Sequence, residues 1–184
     1  MKVPQLSGLM ACALLCVSPV DAAAAKCRPT ASQPALPSKP SCTNYITNKF
    51  FTSASGWTFS GNAGQSSNCD GVSTCGQINA NEGPASFSQT FETVPGFQYW
   101  ASFGYMYTTS VSAADEATCE IISGGSTIAS VNVPFRTENS YYGKGFYFTP
   151  PTARTATLKC TTTSAATGLV DFTQMDVTWD QCFG

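Results

Sequence analysis

Residues 97–108 read FQYWASFGYMYT, and their side chains change character at every second position. In a β-strand, successive side chains point to opposite faces of the sheet. One face of this segment therefore carries Phe97, Tyr99, Ala101, Phe103, Tyr105 and Tyr107. The other face carries Gln98, Trp100, Ser102, Gly104, Met106 and Thr108. We predict that the segment is a strand whose aromatic face packs in the core.

Short runs with similar alternation occupy much of the chain after residue 42, and turn residues separate them. No segment has the apolar spacing of an amphipathic helix over a helix length. The predicted strands are residues 45–51, 57–60, 86–94, 97–108, 117–123, 127–133, 142–149, 155–161 and 169–179. The pattern predicts an all-β fold and favours a two-sheet antiparallel jelly-roll β-sandwich, braced by disulfides, with adjacent first and last strands.

Two segments bear on how these strands are connected. Pro95 and Gly96 suit a type II turn, so we expect residues 86–94 and 97–108 to be antiparallel neighbours. Residues 61–83 are polar and rich in Gly, Asn and Ser, which predicts a long loop.

The N-terminal residues have the organisation of an export signal. Lys2 precedes an apolar run over residues 6–20, and small residues follow at Ala22 to Ala25. The apolar run is too short and too interrupted for a membrane span. The predicted organisation is a signal peptide (residues 1–23), a Pro-rich lead (24–41) and one domain (42–184). We expect a secreted, extracellular protein that is not held in a membrane.

The cysteine content agrees with export, because extracellular thiols normally pair. The chain has 9 Cys, and those of the predicted domain can pair in many ways. Cysteine spacing alone does not select one pairing. Sequence position makes three pairs attractive: Cys42 with Cys182 at the domain ends, Cys69 with Cys75 across the polar loop, and Cys119 with Cys160 on predicted strands.

Cys27 is left over in the Pro-rich lead. Its thiol can be capped, pair with another chain, or be removed by further processing of the lead. The chain has no Cys-X-X-Cys motif and no His, so a zinc site of the usual Cys/His type is not supported.

Composition narrows the function classes. Only 11% of the residues are charged and the formal net charge is −2, which argues against binding to nucleic acid or anionic membranes. The chain has no His, which excludes Ser-His-Asp and Cys-His catalysis. The densest acidic group, Asp115, Glu116 and Glu120, begins in a predicted hairpin loop, where a solvated tip is the ordinary role. We therefore predict a binding protein and not an enzyme.

Three stretches carry a resemblance to a known family. They are NYITNKFFTSASGWTFSG (residues 44–61), ASFSQTFETVPGFQYWASFGYMY (85–107) and QMDVTW (174–179). Their order resembles that of CenC-type carbohydrate-binding modules, and the added cysteines make the chain similar to secreted fungal versions of that family. The resemblance implies a galactose-binding-like jelly roll that contacts a cell-wall polysaccharide, such as glucan, chitin or plant wall glycan, without catalysis.

The chain departs from the family where the family often holds a structural calcium ion. The family often has Glu after its first strand, whereas Lys49 and Phe50 stand here. It often has two acidic residues in tandem in the last strand, whereas this chain has Met175 followed by Asp176. Asp176, alone or together with Asp171, is the candidate calcium ligand, and we expect no other cofactor.

Sugar rings stack their C–H faces on flat aromatic side chains, while neighbouring amides and carboxylates bond to their hydroxyls. Trp100 lies on the non-core face of its predicted strand, together with Gln98. Tyr141 and Tyr147 share one parity of a later strand, which leaves both exposed if the opposite parity is core. We predict that these four residues form the contact face. The alternative is that Trp100 packs under a loop and the tyrosines are ordinary surface residues.

Two other functions remain open at the level of sequence. The first is a secreted structural or effector protein that keeps the fold without binding sugar, and it predicts a flat, aromatic-poor face. The second is a small-molecule binder or unconventional enzyme with an apolar pocket between the sheets. For the carbohydrate-binding module we expect a monomer, whereas a retained free Cys27 would favour linkage to another chain under the structural interpretation.

Overall fold

A computed structural model of the protein describes residues 38–69, 71–79, 83–108, 117–136, 140–162 and 168–182. These residues belong to one compact unit, Leu36–Gly184. The strands are β1 (Thr58–Ser60), β2 (Ala63–Ser66), β3 (Cys75–Asn79), β4 (Ala85–Glu92), β5 (Tyr99–Tyr107), β6 (Ala117–Ser123), β7 (Ser126–Val133), β8 (Tyr142–Phe148), β9 (Thr155–Thr162) and β10 (Leu169–Trp179). A 3₁₀ turn, Asp180–Cys182, follows β10.

The strands form two five-stranded antiparallel sheets. Sheet I has the order β1-β4-β9-β6-β7, and sheet II has the order β2-β3-β10-β5-β8. The two sheets pack their apolar faces on each other, as the alternating burial along β4, β5 and β9 shows. The predicted all-β, two-sheet antiparallel jelly-roll β-sandwich is confirmed.

Aromatic rings fill the space between the sheets. Phe87 of sheet I is fully buried, and its ring lies edge-on to those of Phe51, Trp57 and Phe172 at centroid distances between 5.1 and 5.3 Å. Such edge-to-face pairs add to the free energy of burying the rings, by about 0.5–1.5 kcal/mol each.

The predicted pairing of β4 with β5 is wrong. β4 pairs with β1 and β9 in sheet I, whereas β5 pairs with β10 and β8 in sheet II. Both strands carry an aromatic inner face, and the sandwich buries these faces against each other across the core. The turn at Pro95 and Gly96, whose φ is 80°, therefore crosses from one sheet to the other. The Val94 N–H donates to the Tyr99 hydroxyl at 2.8 Å across this turn.

The segment predicted as the first strand is not a strand. Asn48 and Phe51 have φ values of 52° and 53°, and this left-handed backbone interrupts any extended ladder. The segment nevertheless lies along β10: the Tyr45 N–H donates to the Val177 carbonyl at 2.9 Å. The first predicted segment therefore does lie beside the last strand, as expected, but it consists of turns and not of a strand.

The segment predicted as a long loop contains β2 and β3. These strands pair with each other, and β3 also pairs with β10. Their low apolar content has a steric cause at Gly76, where a Cβ would come 2.6 Å from Cζ of Phe51. Phe51 supplies the apolar surface that a side chain of β3 would otherwise provide.

Three disulfides brace the sandwich. They are Cys42–Cys182, Cys69–Cys75 and Cys119–Cys160, with Cα separations of 5.4, 6.1 and 4.1 Å. The first spans 140 residues, and in the chain-entropy model such a closure stabilises the fold by about 5 kcal/mol. The third joins residues that face each other on β6 and β9.

Several predictions fall on residues outside the described ranges. The signal peptide, most of the Pro-rich lead, Cys27, Asp115 and Glu116 lie there and stay predictions. The end of the lead packs on the domain, because Pro40 is buried and Lys39 Nζ lies 5.6 Å from the ring centroid of Trp179. Within the described part of the chain, no helix has the length and apolar character needed to cross a membrane.

Candidate functional site

The outer face of sheet II carries a groove across β5 and β8. The pairing of these strands puts outward residues side by side: Trp100 with Tyr147, Ser102 with Gly145, and Gly104 with Gly143. Their neighbours in sequence, such as Tyr99 and Phe103, face the core and are buried. The groove has a volume of about 610 Å³.

Glycines form the floor of the groove. A Cβ at Gly143 would meet no atom within 4 Å, so the groove is open above this residue. A Cβ at Gly104 would come 3.2 Å from Cγ2 of Thr173 and 3.7 Å from Cδ1 of Tyr141. The groove is deep because these outward positions have no side chains, and any side chain there would fill part of it.

An aromatic pair stands at one end of this floor. The rings of Trp100 and Tyr147 have centroids 4.6 Å apart and an interplanar angle of 54°. Tyr147 is 54% exposed, whereas Trp100 is half-buried. The Trp100 indole lies on Gly145, where a Cβ would overlap the ring. Trp100 lines the groove, and Tyr147 extends the aromatic surface beyond it.

Tyr141 lines the opposite end of the groove. Gly104, which lies beside Tyr141, is four positions after Trp100 along β5. At the rise of a β-strand, the floor is about 13 Å long. The structure thus places three of the predicted site residues on one face, with two aromatic ends around a glycine floor.

Gln98, the fourth predicted residue, does not line the groove. It precedes β5 and is exposed, and its carbonyl accepts a hydrogen bond from the Asp180 N–H at 3.1 Å. The alternating pattern correctly predicts that the Gln98 side chain does not face the core. However, the groove begins at Trp100 and extends away from Gln98.

Gln174 also lines the groove, although the sequence pattern does not predict it as a site residue. The register between β10 and β5 shifts between Thr173 and Asp176, which marks a β-bulge. Gln174 lies in this bulge with a φ of 53°, and it is exposed on an otherwise buried part of the strand. A bulge breaks the two-residue alternation, so the pattern of side chains cannot predict where such a residue points.

The Cys69–Cys75 loop forms the wall on the β3 side. Gly71 and Val72 at its tip line the groove, and the Val72 N–H donates to the Cys69 carbonyl at 3.3 Å. The hydroxyl of Thr74 donates to the Phe50 carbonyl at 2.6 Å, which fastens the loop to the domain. The wall is therefore held by a disulfide and by backbone and side-chain hydrogen bonds.

The residues around Asp176 do not fit a calcium ion. Asp176 is half-buried beside Ser102, and burial raises the pKa of its carboxyl while the nearby Lys49 ammonium lowers it. Its Oδ1 is buried without a hydrogen-bond partner among the described residues. Calcium requires six to eight oxygen ligands, whereas this carboxylate faces a cationic side chain. Asp171 does not lie beside it, because Asp171 pairs with Met106 whereas Asp176 pairs with Ser102, four positions away on β5.

Cys69, Cys75 and Asp171 also bring potential metal-binding atoms within 4.8 Å of one another. The two sulfurs form a disulfide, and a disulfide lacks the thiolates that bind metal. The grouping instead shows that both sulfurs of this disulfide lie within 4.8 Å of a carboxylate oxygen of Asp171.

No protein-family model and no curated protein sequence matches the chain. Solved structures match it along most of its length. TmCBM61, solved with β-1,4-galactotriose, has a TM-score of 0.58 at 16% identity and covers 75% of this chain and 99% of its own.

Two further structures give similar values. A family 16 carbohydrate-binding module has a TM-score of 0.56 at 13% identity, and the match covers 73% of this chain and 99% of that one. The C-terminal family 22 module of Clostridium thermocellum Xyn10B has a TM-score of 0.54 at 15% identity, and the match covers 77% of this chain and 97% of that one. The chain therefore shares the jelly-roll fold of carbohydrate-binding modules from several families.

Proposed function

We propose that the protein is a secreted, non-catalytic carbohydrate-binding module that binds a cell-wall polysaccharide in the groove of sheet II. The observation that carries this proposal is the Trp100 ring, which stands beside the exposed Tyr147 at the edge of a glycine floor. Both the fold shared with carbohydrate-binding modules and the sequence resemblance to the fungal CenC type support it.

The groove combines the two kinds of contact that a sugar needs. The rings of Trp100 and Tyr141 offer apolar faces to the C–H groups of a pyranose. Between them the Ser102 hydroxyl and the exposed Gln174 amide supply donors and acceptors for sugar hydroxyls. This arrangement matches the ordinary composition of a small-molecule site, which is mostly apolar with a few polar groups.

The walls of the groove suit an uncharged ligand. Lys144 is the only charged residue among the described lining residues. It pairs with the buried Phe103, so its side chain leaves β8 on the inner side of the sheet and not on the side of the groove. We therefore propose a neutral polysaccharide. Glucan, chitin and plant wall glycans are candidates, and the ligands named for solved relatives of the fold, β-1,4-galactotriose and xylan, add galactan and xylan.

The rival functions expect different surfaces. A protein that keeps the fold without binding sugar would have a flat face that is poor in aromatic residues, whereas this face has a groove with rings at both ends. A binder that uses a pocket between the sheets needs space there, whereas aromatic rings such as Phe87 and Phe172 fill the described core.

Retention on insoluble polysaccharides tests the proposal. The secreted full-length chain is incubated with chitin, cellulose, β-glucan, galactan and xylan, and the bound fraction is measured after sedimentation. We expect retention on at least one polymer, loss of that retention in Trp100→Ala, and unchanged retention in Ile122→Ala. Ile122 lies half-buried on the outer face of sheet I, so it is a matched control. Failure of the folded wild type to bind any polymer would contradict the proposal, as would full retention by Trp100→Ala.

A further inference from the structure

The outer face of sheet II is open at one end and covered at the other. At the open end, Tyr147 is 54% exposed beside Trp100. At the other end, Asp171 of β10 pairs with Met106 of β5, and both side chains occupy outward positions. They are nevertheless 0% and 1% exposed. Something other than the core therefore covers the sheet at this end.

At Asp171 the cover is the Cys69–Cys75 loop. Its two sulfurs and a carboxylate oxygen of Asp171 lie within 4.8 Å of one another, and Gln77 of the adjacent strand donates to the same carboxylate. The disulfide closes a loop of only a few residues, and the hydrogen bond from Thr74 to the Phe50 carbonyl anchors it on the far side. A ligand cannot push this loop aside without breaking these contacts.

The groove leads from the open end to this cover. Val72 at the loop tip and Tyr141 both line it, next to the glycine floor. A chain that follows the strands from Trp100 therefore meets Tyr141 after about 13 Å, at the rise of a β-strand. A chain that runs across the strands from the β8 edge meets Gln174 and Val72 on the β3 side. The Tyr141 side chain therefore stands at the end of the groove in the first direction, and the loop stands there in the second.

We propose that the groove receives the end of a polysaccharide chain and not its middle. This inference rests on the proposed function, and it adds which part of the polymer is recognised. The terminal sugar lies over Gly143, between Tyr141 and Val72. The following units leave over Trp100, at the open end of the groove, and over Tyr147, whose exposed ring continues the contact outside it.

The number of chain ends per unit mass separates the two modes of binding. Soluble β-1,4-galactan and xylan are each used intact and after partial hydrolysis, at equal mass, with the full-length protein. For a protein that binds ends, a tenfold rise in the number of ends lowers the mass concentration at half-saturation about tenfold, because occupancy follows the concentration of sites. If the intact and the hydrolysed polymer reach half-saturation at the same mass concentration, the inference is overturned and the proposed function stands. Absence of binding to both forms of both polymers would overturn the inference, and the retention test on all five polymers decides the proposed function separately.

A double variant tests whether the loop is the barrier. Cys69→Ser with Cys75→Ser releases the loop while the other two disulfides, Cys42–Cys182 and Cys119–Cys160, stay in place. We expect the preference for the hydrolysed polymer to fall in this variant, since a chain can then pass the position of the loop. An unchanged preference in a folded double variant would contradict the role of the loop. The comparison with wild-type protein decides the inference even if the variant does not fold.

Discussion

The indole of Trp100 lies against the backbone of Gly145, on the strand that pairs with its own. A Cβ at Gly145 would overlap Cζ2 of Trp100 and come within 2.8 Å of the Ala101 carbonyl oxygen. Because Gly145 has no side chain, the Trp100 ring can lie against the sheet beside Tyr147, in the position where a sugar can stack on it. A small residue on β8 is as necessary for the aromatic platform as the tryptophan itself.

This relationship predicts the effect of Gly145→Ala. The added methyl group displaces the indole and presses on the backbone of β5, and such overpacking costs about 1–3 kcal/mol of the free energy of unfolding. We expect the intrinsic fluorescence to change, because Trp100 moves, and polysaccharide retention to fall. Urea unfolding and sedimentation measure the two effects. Wild-type retention in Gly145→Ala would show that the position of the ring does not matter for binding.

Gln174→Gly is expected to separate stability from binding. A residue with a side chain is disfavoured in left-handed backbone by about 1–2 kcal/mol, and glycine is not. Part of this gain is offset because glycine loses more conformational entropy on folding. The variant should therefore be as stable as wild type or more stable in urea, yet bind polysaccharide more weakly because the groove loses its amide.

Gln174→Asn is the matched control for that experiment. Asn keeps an amide and tolerates the left-handed region better than most residues. We expect it to retain more binding than Gln174→Gly. If the glycine variant binds as tightly as wild type, the Gln174 amide takes no part in recognition.

Asp176→Asn is expected to stabilise the protein more at neutral pH than at pH 3. Burial raises the pKa of the Asp176 carboxyl above 3.8 in the folded state, against a smaller opposing effect of Lys49. A raised pKa means that the folded state binds the proton more tightly, so stability falls as the pH rises through the folded pKa. Asn removes this loss. The difference in Tm between variant and wild type should thus be larger at pH 7 than at pH 3, and a smaller difference at pH 7 would contradict the assignment.

Alternation was sufficient to locate most strands and the face that carries the groove. Residues 117–123 and 169–179 are strands with the predicted bounds, and Trp100 lies on the outward side that the pattern of residues 97–108 indicates. These features depend on local side-chain periodicity, which a sequence displays directly. The buried aromatic positions follow from the same periodicity.

Three features depended on contacts between distant segments and could not be predicted in this way. β4 and β5 both have an aromatic face, and alternation does not tell whether such strands lie side by side or on opposite sheets. β3 is poor in apolar residues because Phe51 occupies the space beside Gly76. Gln174 enters the groove through a bulge that has no signature in the sequence.

Filling the floor of the groove tests its role most directly. A side chain at Gly143 meets no atom within 4 Å of its Cβ, so Gly143→Val is expected to fold with wild-type stability or better, since valine favours strands by up to about 1 kcal/mol. The measurement is the retention of this variant on the polysaccharide that binds the wild-type chain, alongside its urea unfolding curve. Binding in the groove predicts a folded variant that is no longer retained. A folded variant that is retained as well as wild type would place the binding surface elsewhere.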